Sequence, residues 1–300
     1  MSLLWRNKSE RGNTCLMLSF RWLALHIHRS ITRLILYPTC LYYYVFTPTT
    51  RSILKLYWSR VSTQKITFYD FLKHYFYFAS TILDRLFFIS KRYDLFSLTI
   101  KGKENVLQCV ENKTGCILLG SHLGSFESLR CLARDKVQAP IKVVMDRSIS
   151  QTMSRLIMEL DPEIEKTIID PAEPASILSI HKTLQQGGII GMLGDRIVDT
   201  KNTVSCNFLG KNTQFPTGPL LLASITQAPV NLFFGIYCGN NRYTIIFERF
   251  ADKIELQRNN RQKDLALWIE QYVARLEYYV KQYPYNWFNF YDFWHEQTNA

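Results

Sequence analysis

From residue 97 to the end of the chain, short runs rich in Val, Ile, Leu and aromatic residues alternate with stretches of helical periodicity. The runs fall at Ser97–Ile100, Cys116–Leu119, Ile141–Met145, Thr167–Ile169, Ile189–Leu193, Val230–Tyr237 and Tyr243–Phe247. A strand apolar at every position must be covered on both faces, so this alternation predicts a largely parallel sheet sandwiched between helices. Gly239-Asn240-Asn241, between the last two runs, is turn chemistry and predicts an antiparallel hairpin there. Ser176–Gln186 lies between Pro174 and Gly187-Gly188, which mark the start and stop of a crossover helix. Leu265–Gln282 carries apolar residues at three- and four-residue spacing and predicts a second long helix. The expected fold class is α/β: a mixed, mostly parallel central sheet with helices on both faces. It is expected to span residues 96–300, preceded by an N-terminal helical region over residues 1–95.

The N-terminal region differs in kind. Of a net charge of +11, most resides in the first sixty residues, where Arg6, Lys8, Arg11, Arg21, Arg29, Arg33, Arg51, Lys55 and Arg60 face Glu10 alone. These cations are dispersed among Leu, Ile, Trp and Tyr, a composition suited to an anionic membrane surface rather than to nucleic acid. Arg21, His26, His28, Arg29 and Arg33 interrupt the apolar stretch Cys15–Phe46, so no transmembrane span is expected. Leu34–Phe46 reads as a helix dipping into the interface, with Trp22 and Tyr42, Tyr43 and Tyr44 at headgroup depth. No small-residue cleavage site follows, so the segment does not read as a signal peptide. Incorporation into a helical core is the alternative. Thr67–Ser90 is spaced as one or two aromatic-rich amphipathic helices. Seven scattered cysteines without C-x-x-C spacing suggest neither a disulfide framework nor a zinc site.

Chemistry-bearing residues gather where strands end. After the run Cys116–Leu119 come Gly120 and Ser121, then His122, with Glu127 five positions on in what reads as the first helical turns. That places an imidazole at a strand's carboxyl end, where open α/β sheets bind ligands, with a carboxylate able to reach back to it. Such a base could activate a hydroxyl; a capped helix that happens to hold a His and a Glu would look the same. Asp195-Arg196 follows Ile189–Leu193, and Asp146-Arg147 follows Ile141–Met145. Each pair could be a salt bridge; alternatively the two arginines, at one sheet edge, could hold an anionic group such as a phosphopantetheine or lipid phosphate. Phe208–Pro219 reads as a glycine- and proline-punctuated loop, with Pro219 in the first turn of a helix whose N–H groups could face an anion or oxyanion. Tyr283–Trp294 is too aromatic for a solvated tail and must pack on the body or on lipid.

In order and spacing these blocks resemble the lysophospholipid acyltransferase superfamily, and within it the bacterial lipid A (lauroyl/myristoyl-type) acyltransferase branch. The blocks are His122 with Glu127; Gly187 through Asp195-Arg196; Phe215-Pro216-Thr217-Gly218-Pro219; Ala228-Pro229-Val230; and Pro284-Tyr285-Asn286-Trp287. The resemblance spans about residues 100 to 295. It implies transfer of a fatty acyl chain from a thioester, acyl carrier protein or another donor, to a hydroxyl of a membrane lipid or glycolipid. It implies His122 as general base and Glu127 as its orienting partner, with no covalent enzyme intermediate. Arg147, Asp195, Arg196, Phe215, Pro216 and Gly218 fall where the family contacts substrate or oxyanion. Thr217 departs from the Glu that many phospholipid-acylating members carry in that block. No metal or cofactor is implied, and no nucleic-acid partner. The implied location is the cytoplasmic face of the bacterial inner membrane, peripheral or monotopic. A thioesterase, in which water replaces the lipid hydroxyl, and a catalytically silent lipid-binding protein are the rival readings. The acceptor, the chain length, and O- against N-acylation stay open.

Overall fold

In the computed structural model, residues 29–135, 139–146, 161–197 and 202–296 are described. The strands, in chain order, are β1 (Ser97–Lys101), β2 (Cys116–Gly120), β3 (Ile141–Val144), β4 (Ile168–Ile169), β5 (Ile189–Leu193), β6 (Thr203–Phe208), β7 (Lys211–Pro216), β8 (Val230–Tyr237) and β9 (Arg242–Ala251). Seven form one sheet in the order β1-β9-β8-β2-β5-β3-β4. From β8 across to β4 neighbours run parallel; β9 pairs antiparallel with β8 through the turn at Gly239, and β1 runs parallel to β9. The mixed, mostly parallel sheet and the antiparallel β8–β9 pair match the expectation from the sequence.

Every residue of β2 and of β8 is buried, and the reason is visible in their two faces. Ile117 and Leu119 of β2 join one apolar cluster with Ile190, Met192, Leu220, Ile269 and Leu276. Cys116 and Leu118 join another with Leu83, Phe87, Val106 and Leu129. Successive side chains point to opposite faces, so a strand between two helical layers has no polar position.

The helices are α1 (Arg29–Leu34), α2 (Leu36–Phe46), α3 (Pro48–Val61), α4 (Phe68–Ile89), α5 (Lys103–Glu111), α6 (Ser176–Gln185), α7 (Gly218–Thr226), α8 (Arg261–Gln282) and α9 (Phe293–Glu296). Thr67–Ser90 forms a single helix, started by a capping box in which the Thr67 N–H donates to the Asp70 carboxylate at 2.9 Å. The inner face of α4 buries Leu83, Leu86, Phe87 and Phe88, and truncating one such leucine to alanine costs about 2–5 kcal/mol.

The N-terminal helices are tied to this body by charge. Arg29 forms a bidentate pair with Asp84 of α4, at 2.7 and 2.6 Å, and Tyr243 of β9 donates to the same carboxylate at 2.8 Å. Their other side is apolar and exposed: Leu34, Tyr37, Leu41, Tyr42, Val45 and Phe46 all face outward. Among the described residues no helix is long and apolar enough to cross a membrane. The cationic stretch before Arg29, with Trp22, lies outside the described residues.

Phe208–Pro219 is not the loop expected. β6 and β7 form a two-stranded hairpin, with Phe208 opposite Lys211. Leu209 and Gly210 at its tip both have positive φ, 51° and 76°. Two-residue hairpin turns need that geometry, and an Asn-Gly pair would have announced it. A leucine there hides it. The Leu209 N–H is held by Glu277 of α8 at 2.6 Å.

Candidate active site

β2 and β5 lie side by side in parallel, with Gly120 opposite Leu193. The Gly194 N–H bonds the Gly120 carbonyl at 3.0 Å and so continues the ladder past the strand ends. Two residues further on, the same register sets His122 beside Asp195. His122 Nδ1 is 2.8 Å from Asp195 Oδ1, and the His122 backbone N–H donates to Asp195 Oδ2 at 3.0 Å. Asp195 has no exposed surface, whereas 27% of the imidazole is exposed.

Burial opposes ionisation of Asp195, but the charge and hydrogen bonds of His122, with Arg196 beside them, hold its carboxyl below the usual range. An ionised acceptor fixes the imidazole tautomer: Nδ1 carries the proton that Asp195 accepts, and the lone pair is left on Nε2. Burial lowers the His122 pKa, the Arg196 cation lowers it further, and Asp195 pulls it back. The imidazole is therefore neutral and able to accept a proton near pH 7.

Glu127 is not the partner of His122. Its Oε1 accepts from Arg85 of α4 at 3.0 and 2.8 Å, and its Oε2 from Arg130 at 2.7 Å. Burial works against its charge, yet the two guanidiniums keep its pKa below the ordinary carboxylate value. The expectation failed because the chain after His122 does not enter a helix at once. Leu123 makes an antiparallel bridge to Trp287 and Gly124 a parallel bridge to Gly235 of β8. Gly124 sits at φ +80°, and a Cβ there would run into the Gly235 carbonyl. Only at Phe126 does a 3₁₀ segment begin, extending to Asp135, and it turns Glu127 toward α4.

Arg196 adjoins this pair. Its Nε donates to Asn289 Oδ1 and its Nη2 to the Phe288 carbonyl, each at 3.2 Å. Of the remaining expected contacts, Phe215 is fully buried and packs on Phe208, Tyr272 and Phe293. It faces the core rather than a substrate, because its position on β7 points it inward. Pro216 is partly buried and Gly218 is exposed, flanking Thr217 at the start of α7. Thr217 is held by its N–H and hydroxyl on the Asn202 carbonyl, at 2.9 and 3.1 Å. Arg147 lies outside the described residues.

Sequence reasoning missed the residues that brace the site. The Tyr272 hydroxyl donates to the Gly120 carbonyl at 2.8 Å. The Asn286 side chain pairs with both the N–H and the carbonyl of Tyr237, at 2.9 and 3.1 Å, while its backbone carbonyl accepts from Gly124 at 2.8 Å. Phe288 donates to the His122 carbonyl at 2.9 Å. The C-terminal aromatic segment thus packs on the body, as expected, and clasps the turn that carries His122. The available signal was Asn286 and Asn289 within an otherwise aromatic stretch, since amides buried there need partners.

A family model described as "Bacterial lipid A biosynthesis acyltransferase" matches residues 75–296. The chain belongs to that family. Membership supports acyl transfer to a lipid acceptor as the general activity of this acyltransferase-family chain. A search of curated proteins found no match.

Proposed function

We propose that this chain transfers a fatty acyl group from an acyl thioester to a hydroxyl of a lipid A-type glycolipid, with His122 as general base and Asp195 as the group that orients it. The observation that carries this is the sealed Asp195 carboxylate on His122 Nδ1 at 2.8 Å, with the imidazole left partly exposed at the carboxyl edge of the sheet.

The reaction follows from these parts. The acceptor hydroxyl gives its proton to His122 Nε2 as its oxygen attacks the thioester carbonyl carbon. Asp195 stabilises the imidazolium that forms. The tetrahedral intermediate collapses with cleavage of the C–S bond, and the imidazolium returns the proton to the departing thiolate. A thioester is already activated, so a base, oxyanion stabilisation and alignment of two substrates suffice. The N–H groups at the start of α7 and the Arg196 guanidinium are the candidate oxyanion or phosphate contacts.

Acyl carrier protein is the proposed donor, because a chain of net charge +11 attracts a strongly acidic partner. The proposed location is the cytoplasmic face of the inner membrane. The exposed apolar residues of α2 and the cations preceding α1 support it, as together they suit an anionic lipid surface.

The test is purified protein given acyl-carrier thioester and a hydroxylated lipid A precursor, with products read by mass spectrometry. Acylated glycolipid from wild type and none from His122→Ala is the expected outcome. Transfer that survives His122→Ala refutes the assigned base. Thioester hydrolysis indifferent to added lipid refutes the transferase reading in favour of a thioesterase.

A further inference from the structure

The C-terminal segment that clasps the His122 turn is itself held by α3 and α4. Tyr57 of α3 donates its hydroxyl to the Pro284 carbonyl at 2.6 Å, and the Tyr285 hydroxyl donates to Asp70 of α4 at 2.5 Å. A third tie comes from His74 of α4, whose Nε2 lies 3.2 Å from the Trp287 carbonyl oxygen. A carbonyl can only accept, so Nε2 carries the proton and Nδ1 the lone pair. Nδ1 has no hydrogen-bond partner among the described residues.

This third tie lands where the other two do not. The Trp287 carbonyl and the Phe288 N–H belong to one planar peptide unit, and that N–H donates to the His122 carbonyl at 2.9 Å. A single peptide therefore accepts from His74 on one side and donates to the residue of the proposed base on the other. The bridge between Leu123 and Trp287 is completed by the Gly124 N–H on the Asn286 carbonyl at 2.8 Å. An amide whose carbonyl accepts a hydrogen bond becomes a better donor at its N–H, so the two bonds support each other.

The surroundings keep the imidazole in this role. His74 has no exposed surface and Trp287 is 1% exposed, so water cannot replace the donor, and its loss would leave a buried carbonyl unpartnered. The rings of Tyr57, Trp58, Phe288 and Phe290 surround His74 edge-on, with centroids between 5.6 and 6.2 Å away. Burial pushes its pKa down to about 3, so near pH 7 the ring is neutral. A phenylalanine would fill the same aromatic box; what it lacks is the donor.

We propose that His74 is a positioning residue: by donating from Nε2 to the Trp287 carbonyl it fixes the peptide unit that holds the His122 carbonyl, and with it the turn on which the base sits. The catalytic consequence rests on the acyl-transfer reading; the placement of the turn does not.

Both bonds can be watched one peptide at a time, because Trp-Phe occurs once in the sequence, at 287–288, and His-Leu once, at 122–123. Full-length protein labelled with carbonyl-13C tryptophan and 15N phenylalanine gives one carbonyl-selected NMR peak for the first peptide; carbonyl-13C histidine with 15N leucine gives one for the second. His74→Phe keeps the ring and removes the donor, whereas His74→Gln loses the ring and keeps an amide N–H close to the Nε2 position. In His74→Phe both peaks should move, the Phe288 N–H should exchange faster with solvent, and kcat should fall about 10–100-fold with KM near wild type. His74→Gln should hold both peaks near their wild-type positions and recover most of kcat. A role in packing alone predicts the reverse order, with the phenylalanine variant the better enzyme, and that result overturns the inference. An unmoved His122–Leu123 peak or an undiminished kcat in His74→Phe overturns it as well. If His74→Phe does not fold, His74→Leu takes its place with the same expectations. Should wild type transfer no acyl groups, the proposed function alone falls, and the two peaks still decide whether His74 places the turn.

Discussion

Asp84 and Asp195 are both carboxylates without exposed surface, and both are held by a cationic or basic side chain within 2.8 Å. They differ in what that partner can do. Asp84 is bound by Arg29, itself 7% exposed, and by the Tyr243 hydroxyl. A guanidinium does not titrate in the working range, and this one is enclosed, so the pair can only fasten α1 to α4 and β9. Asp195 is bound by an imidazole, a group that can take up and release a proton, and this one keeps a quarter of its surface open. Burial of a charged pair is thus no mark of a functional site; a partner able to exchange a proton with something outside is.

The widest separation of the two pairs is expected from Asp195→Asn. The amide no longer stabilises the imidazolium, so kcat in the thioester transfer assay should fall by about 10²–10⁴, with the melting temperature little changed. Asp84→Ala should do the reverse. It strands Arg29 in a buried site at a stability cost of about 3–5 kcal/mol, read by denaturant unfolding, while kcat of the folded fraction stays near wild type. Loss of kcat from Asp84→Ala matching that from Asp195→Asn would erase the distinction. Glu127→Gln should cost about 1–3 kcal/mol through Arg85 and Arg130, with a smaller kcat effect than Asp195→Asn. A catalytic loss as deep as that of Asp195→Asn would return Glu127 to the role of partner to His122.

The smallest effect is in pH. Burial and Arg196 place the His122 pKa below the ordinary imidazole value of about 6.5. Activity should therefore rise through an acid limb lying under that value, as the neutral base forms. Asp195 raises the His122 pKa, so the residual activity of Asp195→Asn should show its limb at lower pH than wild type. pH–rate profiles of wild type and Asp195→Asn check that direction. The stability linkage has the same origin: a group whose folded pKa is depressed favours the folded state above its unfolded pKa. That contribution is lost as the pH falls and the imidazole must be charged in place.

Much of the fold was legible because it depends on neighbours in the chain. The all-apolar runs marked β2, β5 and β8. Pro174 with Gly187-Gly188 bracketed α6, and Gly239-Asn240-Asn241 marked the β8–β9 turn. The β6–β7 hairpin was not legible. Its tip uses Leu209 at positive φ, stabilised by Glu277 from α8, and no local signal encodes that. The site was half legible. His122 and Asp195-Arg196 were found at strand ends, but the wrong acid was joined to the imidazole, because closeness in sequence stood in for closeness in space.

The sequence by itself determined most of the segments that become strands and helices of the main sheet, that the sheet is covered on both faces, and that His122 and Asp195-Arg196 follow the ends of strands. Periodicity, caps and turn residues are local properties, and a strand's carboxyl end is fixed once its direction is known. Only the tertiary structure decided that His122 meets Asp195, 73 residues away, that Asn286 and Phe288 clasp the turn carrying His122, and that Asn289 holds Arg196. The physical reason is register: two parallel strands bring together residues at equal depth from their paired ends, and that pairing is set by the packing of the whole sheet, not by the spacing of residues along the chain.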